Sequence, residues 1–206
     1  MIFNKVLNHI FSSSSHIAVI RSLQHHKIGI TGREIARLSG LSPKSALYAL
    51  SSLENIKIVN RVVGGRDHLF TLNRQNYLVK NGIIPLLQIE NKFLPQLLEI
   101  IKQKLAKHCI SIILFGSVAR SNETTESDLD ICFVVQNKSS QKDIVQIIHD
   151  LQDQIFNEFG ASLAPIYFTH DEFRKKAAKN LSPVNNIIKE GVLISGRSIR
   201  ILSHGS

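Results

Sequence analysis

Residues 110–135, ISIILFGSVARSNETTESDLDICFVV, decide how this chain is read. The run Ile112, Ile113, Leu114 and Phe115 has strand length and stops at Gly116-Ser117, where glycine permits close backbone approach to a ligand. Backbone N–H groups and the Ser117 hydroxyl at such a turn suit a phosphate, with the positive end of a short helix behind them and Arg120 one turn on to meet further negative charge. Asp128 and Asp130 stand two apart at the head of the next strand, so the period of two puts both carboxylates on one face. There they can share a metal ion.

Gly116-Ser117, a ten-residue spacer and Asp128-x-Asp130 resemble the signature of the DNA polymerase β-type nucleotidyltransferase superfamily, and more narrowly its minimal nucleotidyltransferases. The resemblance implies that Gly116, Ser117 and Arg120 bind a nucleoside triphosphate, ATP by preference. It implies that Asp128 and Asp130 are the catalytic pair and hold Mg2+, and that a nucleotidyl (AMP) group passes to a protein or small-molecule hydroxyl. There are three departures. Val118 stands where a larger or basic residue is usual, and Ser121 replaces a second glycine. The later strand, residues 161–169 (ASLAPIYFT), lacks the third carboxylate of these enzymes, with Ala164 as the best candidate for the vacant position. Asp171 and Glu172 come directly after it, and they read as the first turn of the next helix, where acids suit the dipole. A reach to the metals is the alternative for that pair.

The 206 residues allow one large or two small domains, and 43% hydrophobic with 20% charged residues is the composition of a globular protein. No apolar run approaches the roughly 18 residues that span a bilayer, and residues 1–11 lack a signal-peptide core, so a cytoplasmic location with no membrane contact is expected. Cys109 and Cys132 lie on or beside the central strands and read as reduced thiols. His25-His26 reads as a solvated helix end.

The net charge of +9 is uneven: up to Lys80 eleven basic residues face three acids, a balance of +8, against +1 for the remainder. In this basic part residues 12–26, 32–38 and 42–53 read as helices. The third starts with Ser42 as N-cap and Pro43 at its first position, buries Ala46, Leu50 and Leu53, and turns Lys44, Ser45, Tyr48, Ser51 and Ser52 outward. Residues 58–63 and 68–73 alternate like strands around Gly64-Gly65-Arg66-Asp67, a hairpin turn. Three helices and a hairpin over residues 12–75 resemble a winged helix-turn-helix. That resemblance implies double-stranded DNA as partner, with the third helix in the major groove, Lys44, Arg61 and Arg66 on phosphates, and Ser45 and Tyr48 on the same outward face. A protein-docking module is the alternative.

Three segments are expected: a winged helix-turn-helix at 1–81, connector helices at 82–107 and a nucleotidyltransferase domain at 108–206. Asn81-Gly82 is expected to end a helix, and Pro85 and Pro95 to punctuate the connector. Leu94, Leu97, Leu98, Ile101 and Leu105 form an apolar stripe that either packs on the transferase sheet or makes a homodimer interface. A helix over 141–159, a strand over 161–169 and helices over 171–179 and 182–190 complete an α/β (α+β) fold: a mixed sheet with helices on one side. These segments imply two functions. One is a DNA-binding nucleotidyltransferase. The other is a transcriptional regulator whose nucleotidyltransferase-like domain senses nucleotide or mediates assembly. Minimal nucleotidyltransferases also occur as antitoxins that modify a toxin partner and repress their own operon, which joins the two readings.

Overall fold

Polar side chains cap five of the described helices at their N-termini, Ser42 among them as the sequence predicts. The computed structural model describes residues 4–64 and 67–204, and divides into two compact units, Met1–Lys92 and Phe93–Ser206. In the first unit α1 (Val6–Ile10) and α2 (Ser14–Leu23) are followed by β1 (Ile30–Thr31), α3 (Gly32–Ser39) and α4 (Pro43–Asn55). The hydroxyls of Ser13, Thr31 and Ser42 accept hydrogen bonds from the N–H groups of His16, Glu34 and Ser45, and Pro43 takes the first position of α4. β2 (Val59–Gly64) and β3 (Asp67–Leu72) pair as an antiparallel hairpin, and β1 joins the far side of β3, giving the order β1-β3-β2. Ala46, Ala49, Leu50 and Leu53 of α4 are buried, and Leu50 and Leu53 pack with Ile20, Leu23, Ile35 and Phe70 in one core.

The chain does not break at Asn81-Gly82. A π turn, Val79–Ile83, leads straight into α5 (Ile84–Leu105), and Pro95 lies inside that helix. Val79 and Ile83 are buried and hold the helical path across the glycine. Pro85 has no N–H for the bond back to residue 81, and it follows directly on the π turn. Leu87 of α5 packs into the first core, whereas Leu97, Ile101 and Leu105 pack into a core of the second unit.

The second unit contains β4 (Ser111–Leu114), α6 (Gly116–Ala119), β5 (Leu129–Val135), α7 (Lys138–Phe159), β6 (Leu163–Thr169), α8 (His170–Ala178), α9 (Val184–Glu190), β7 (Val192–Gly196) and α10 (Ile199–His204). The sheet runs β6-β5-β4-β7 and is mixed: β5 and β6 are parallel, joined by the α7 crossover, and β4 is antiparallel to β5 and β7. Helices cover both faces, not one. Ile112, Leu114, Leu129, Ile131, Phe133 and Val135 pack against α5 and α7. Ile113, Cys132 and Val134 face Phe173, Val184, Ile187 and Leu202 of α8, α9 and α10. Burying each such aliphatic side chain contributes about 1.5–3 kcal/mol, so two full faces stabilise the sheet more than one would. Among the described residues no helix is long and apolar enough to cross a membrane.

Candidate active site

The two strands that carry the motif are antiparallel neighbours, so the end of β4 meets the beginning of β5. Phe115 is extended, and its N–H donates to the Asp130 carbonyl at 3.0 Å. Gly116 then takes φ +76°, and a Cβ there would lie 2.0 Å from Asp130 Oδ2. The carboxylate of Asp130 therefore occupies the space that a side chain at 116 would need. Ser117 follows in α6, a single turn that closes when the N–H groups of Arg120 and Asn122 donate to the Ser117 carbonyl and that of Ser121 to Val118. Ser121 adopts φ +55°, the left-handed conformation that a glycine would take without strain.

Asp128 is exposed just ahead of β5, after a turn in which the Thr124 N–H donates to Ser127 Oγ at 2.9 Å. Burial pushes the Asp130 carboxyl up, the Asp128 charge pushes it further, and Arg120 opposes both. Arg120 is also ion-paired with Glu190, the last residue of α9; their side chains are 43% and 27% exposed. No feature near the motif in the sequence announces Glu190, which lies seventy positions away.

Ala164 is the register partner of Asp130 in the parallel β5/β6 pair, and paired residues project to the same face. Asp171 and Glu172 lie past the other end of that pair, beyond Thr169 opposite Val135, about 17 Å along the strand from Ala164. There Glu172 completes a capping box with Thr169 and pairs with Lys138 at 2.7 Å. Those contacts, Lys138 first, hold its carboxyl below the usual range. Lys176 of the basic stretch Arg174, Lys175, Lys176 and Lys179 sits over the Phe168 ring.

Among the described residues no group of three or more His, Cys, Asp or Glu side chains gathers as a metal cluster. The carboxylates that would hold a cation at the motif are Asp128 and Asp130. Asp128 is exposed and Asp130 half-buried, and an all-oxygen pair of this kind fits a hard divalent ion that keeps water and substrate phosphates as its other ligands, as Mg2+ does. Both cysteines are free thiols, and burial pushes Cys109 up to about 12 and Cys132 higher still.

In the first unit Lys44, Ser45 and Tyr48 lie exposed on α4, Tyr48 at 80%. They border a groove of about 760 Å3 that also takes in Ser12, Ser13 and Ser15. Arg61 on β2 is held by Glu54 of α4 at 3.1 Å, so part of its charge is met inside the protein. Arg66 lies outside the described residues.

Residues 96–200, half of the chain, match the family model described as polymerase beta, nucleotidyltransferase, and the chain belongs to that family. Two proteins of Methanocaldococcus jannaschii, each named "Putative protein adenylyltransferase", are similar to it. One is 30% identical over 95 residues, which are 46% of this chain and 63% of the relative, so the match spans less than two thirds of that protein. The other is 32% identical over 102 residues, 50% of this chain and 94% of the relative.

Proposed function

We propose that this chain transfers AMP from ATP to a hydroxyl of a protein or small molecule, forming a P–O bond at the α-phosphorus as the α–β bond breaks and pyrophosphate leaves and the hydroxyl proton passes to solvent, with Mg2+ held by Asp128 and Asp130. The observation that carries this reading is the packing of the Asp130 carboxylate on Gly116, which joins the phosphate turn and the acidic strand into one site. A protein acceptor is favoured because the two similar archaeal proteins bear the name protein adenylyltransferase.

In this reading the N–H groups at Gly116 and Ser117, with the Ser117 hydroxyl, hold the β- and γ-phosphates, and Arg120 meets further phosphate charge. Asp128, just ahead of β5, and Asp130, its second residue, would offer their carboxylate oxygens to the cation. An ion held by Asp128 and Asp130 would supply neutralisation of phosphate charge and acidification of the attacking hydroxyl. Ala164 offers no base where a third carboxylate would stand beside Asp130. A general base is worth about 10²–10⁴-fold, so turnover is slow.

Calorimetric titration with ATP tests the site. Heat is expected with Mg2+, little with chelator, and none in Asp130→Asn. Equal binding by wild type and Asp130→Asn would overturn the metal assignment.

A second reading concerns residues 1–81, which we propose form a winged helix-turn-helix that binds double-stranded DNA, with residues 82–107 as connector. It is supported by three capped helices, the β2/β3 hairpin and the exposed Lys44, Ser45 and Tyr48 on α4. In that case the chain regulates transcription as well as modifying a partner such as a toxin. Salt-sensitive retention of duplex DNA by the full chain is the test.

A further inference from the structure

The proposed site contains one contact that phosphate binding and metal binding leave unexplained, the ion pair between Arg120 and Glu190. Stability does not account for it. A half-exposed pair is worth about 0–1 kcal/mol, and an acid at the last position of a helix faces the negative end of the dipole. Yet the placement of Glu190 is built into the fold. Val192 pairs with Leu114, so the end of α9 is fixed beside the end of β4, just where Gly116 begins. The connection is tight, since a Cβ at Gly191 would lie 2.4 Å from the Ile187 carbonyl oxygen and 2.9 Å from Ile113 Cγ2.

Arg120 Nη1 donates to Glu190 Oε1, and its charge also acts on Asp130, against the effects of burial and of Asp128 there. A guanidinium drawn onto Asp130 would occupy a carboxylate that the cation needs. One drawn onto Glu190 by a single nitrogen keeps its other N–H groups free for phosphate oxygens.

Resting on the transferase reading above, we infer that Glu190 is a positioning residue for the nucleotide: it holds Arg120 beside the Gly116-Ser117 turn, aimed at the polyphosphate and kept off Asp130. Glu190 touches neither phosphate nor metal in this role. Its loss acts through Arg120 alone.

The test is titration of the full-length protein with ATP at several Mg2+ concentrations, with melting temperatures recorded for each variant. Glu190→Ala is expected to weaken ATP binding roughly tenfold, the scale of one charge-assisted hydrogen bond, and to raise the Mg2+ concentration needed for half-saturation. Glu190→Gln, whose amide oxygen still accepts from Arg120, should recover part of the loss. In an Arg120→Ala background, adding Glu190→Ala should change neither quantity. Wild-type binding by Glu190→Ala overturns the inference and leaves the transferase reading standing. So does an equal loss with and without Arg120, which would mark a merely structural role. Absence of any ATP binding by the wild type overturns both.

Discussion

Gly116 is the residue on which the two halves of the motif depend, because its missing side chain is the space that Asp130 fills. Gly116→Ala meets two penalties. A φ of +76° costs an alanine about 1–2 kcal/mol, and the new methyl must push the Asp130 carboxylate aside. The variant should melt several degrees lower and lose Mg2+-dependent ATP binding by more than about tenfold, read by calorimetry on protein shown to be folded. Unchanged binding would mean that the contact between 116 and 130 has no part in the site. Ser121 shows the same backbone demand met by a different residue: the left-handed turn after Arg120 persists without glycine. That Gly116 and Asp130 meet was legible from the fixed local spacing of the motif, and the roles proposed for Gly116, Ser117, Asp128 and Asp130 rest on that same spacing. Glu190 was not legible, because only the return of the chain through β7 brings it to Arg120.

Among the elements, α4 was the easiest to read, since Ser42, Pro43 and the buried Ala46, Leu50 and Leu53 each state the same helix. Its exposed side carries the DNA proposal. Lys44→Ala should weaken duplex binding across all sequences and reduce the salt slope by about one unit, measured by filter retention between low and moderate salt. A wild-type protein that retains no duplex in a salt-sensitive way would contradict that reading. Other elements were harder. β7 is a five-residue edge strand with half-exposed side chains and no clean alternation, so the sequence carried no strand signal beyond the helix over 182–190. The helices on both faces did leave a signal in β5, where the last five residues are all buried. An uninterrupted apolar run of that kind marks a strand covered on two sides. The path through Asn81-Gly82 and Pro95 was hidden because burial of Val79, Ile83, Leu97 and Ile101 outweighs local breaker residues.

For the whole molecule, charge and chemistry are divided along the chain: a balance of +8 up to Lys80, and the Asp128/Asp130 pair with the Gly116-Ser117 turn beyond it. That the second of these parts is a slow transferase is the proposal on which the roles of Glu190 and Ala164 lean. Its sharpest test is incorporation of labelled AMP from ATP into a protein acceptor, comparing wild type, Asp128→Ala and Ala164→Asp with Mg2+ and with chelator. The register places residue 164 beside Asp130 on one face, so a carboxylate there is positioned to supply the missing base. Weak Mg2+-dependent labelling is expected from the wild type, none from Asp128→Ala and faster labelling from Ala164→Asp. Labelling that persists in Asp128→Ala would contradict the transferase assignment.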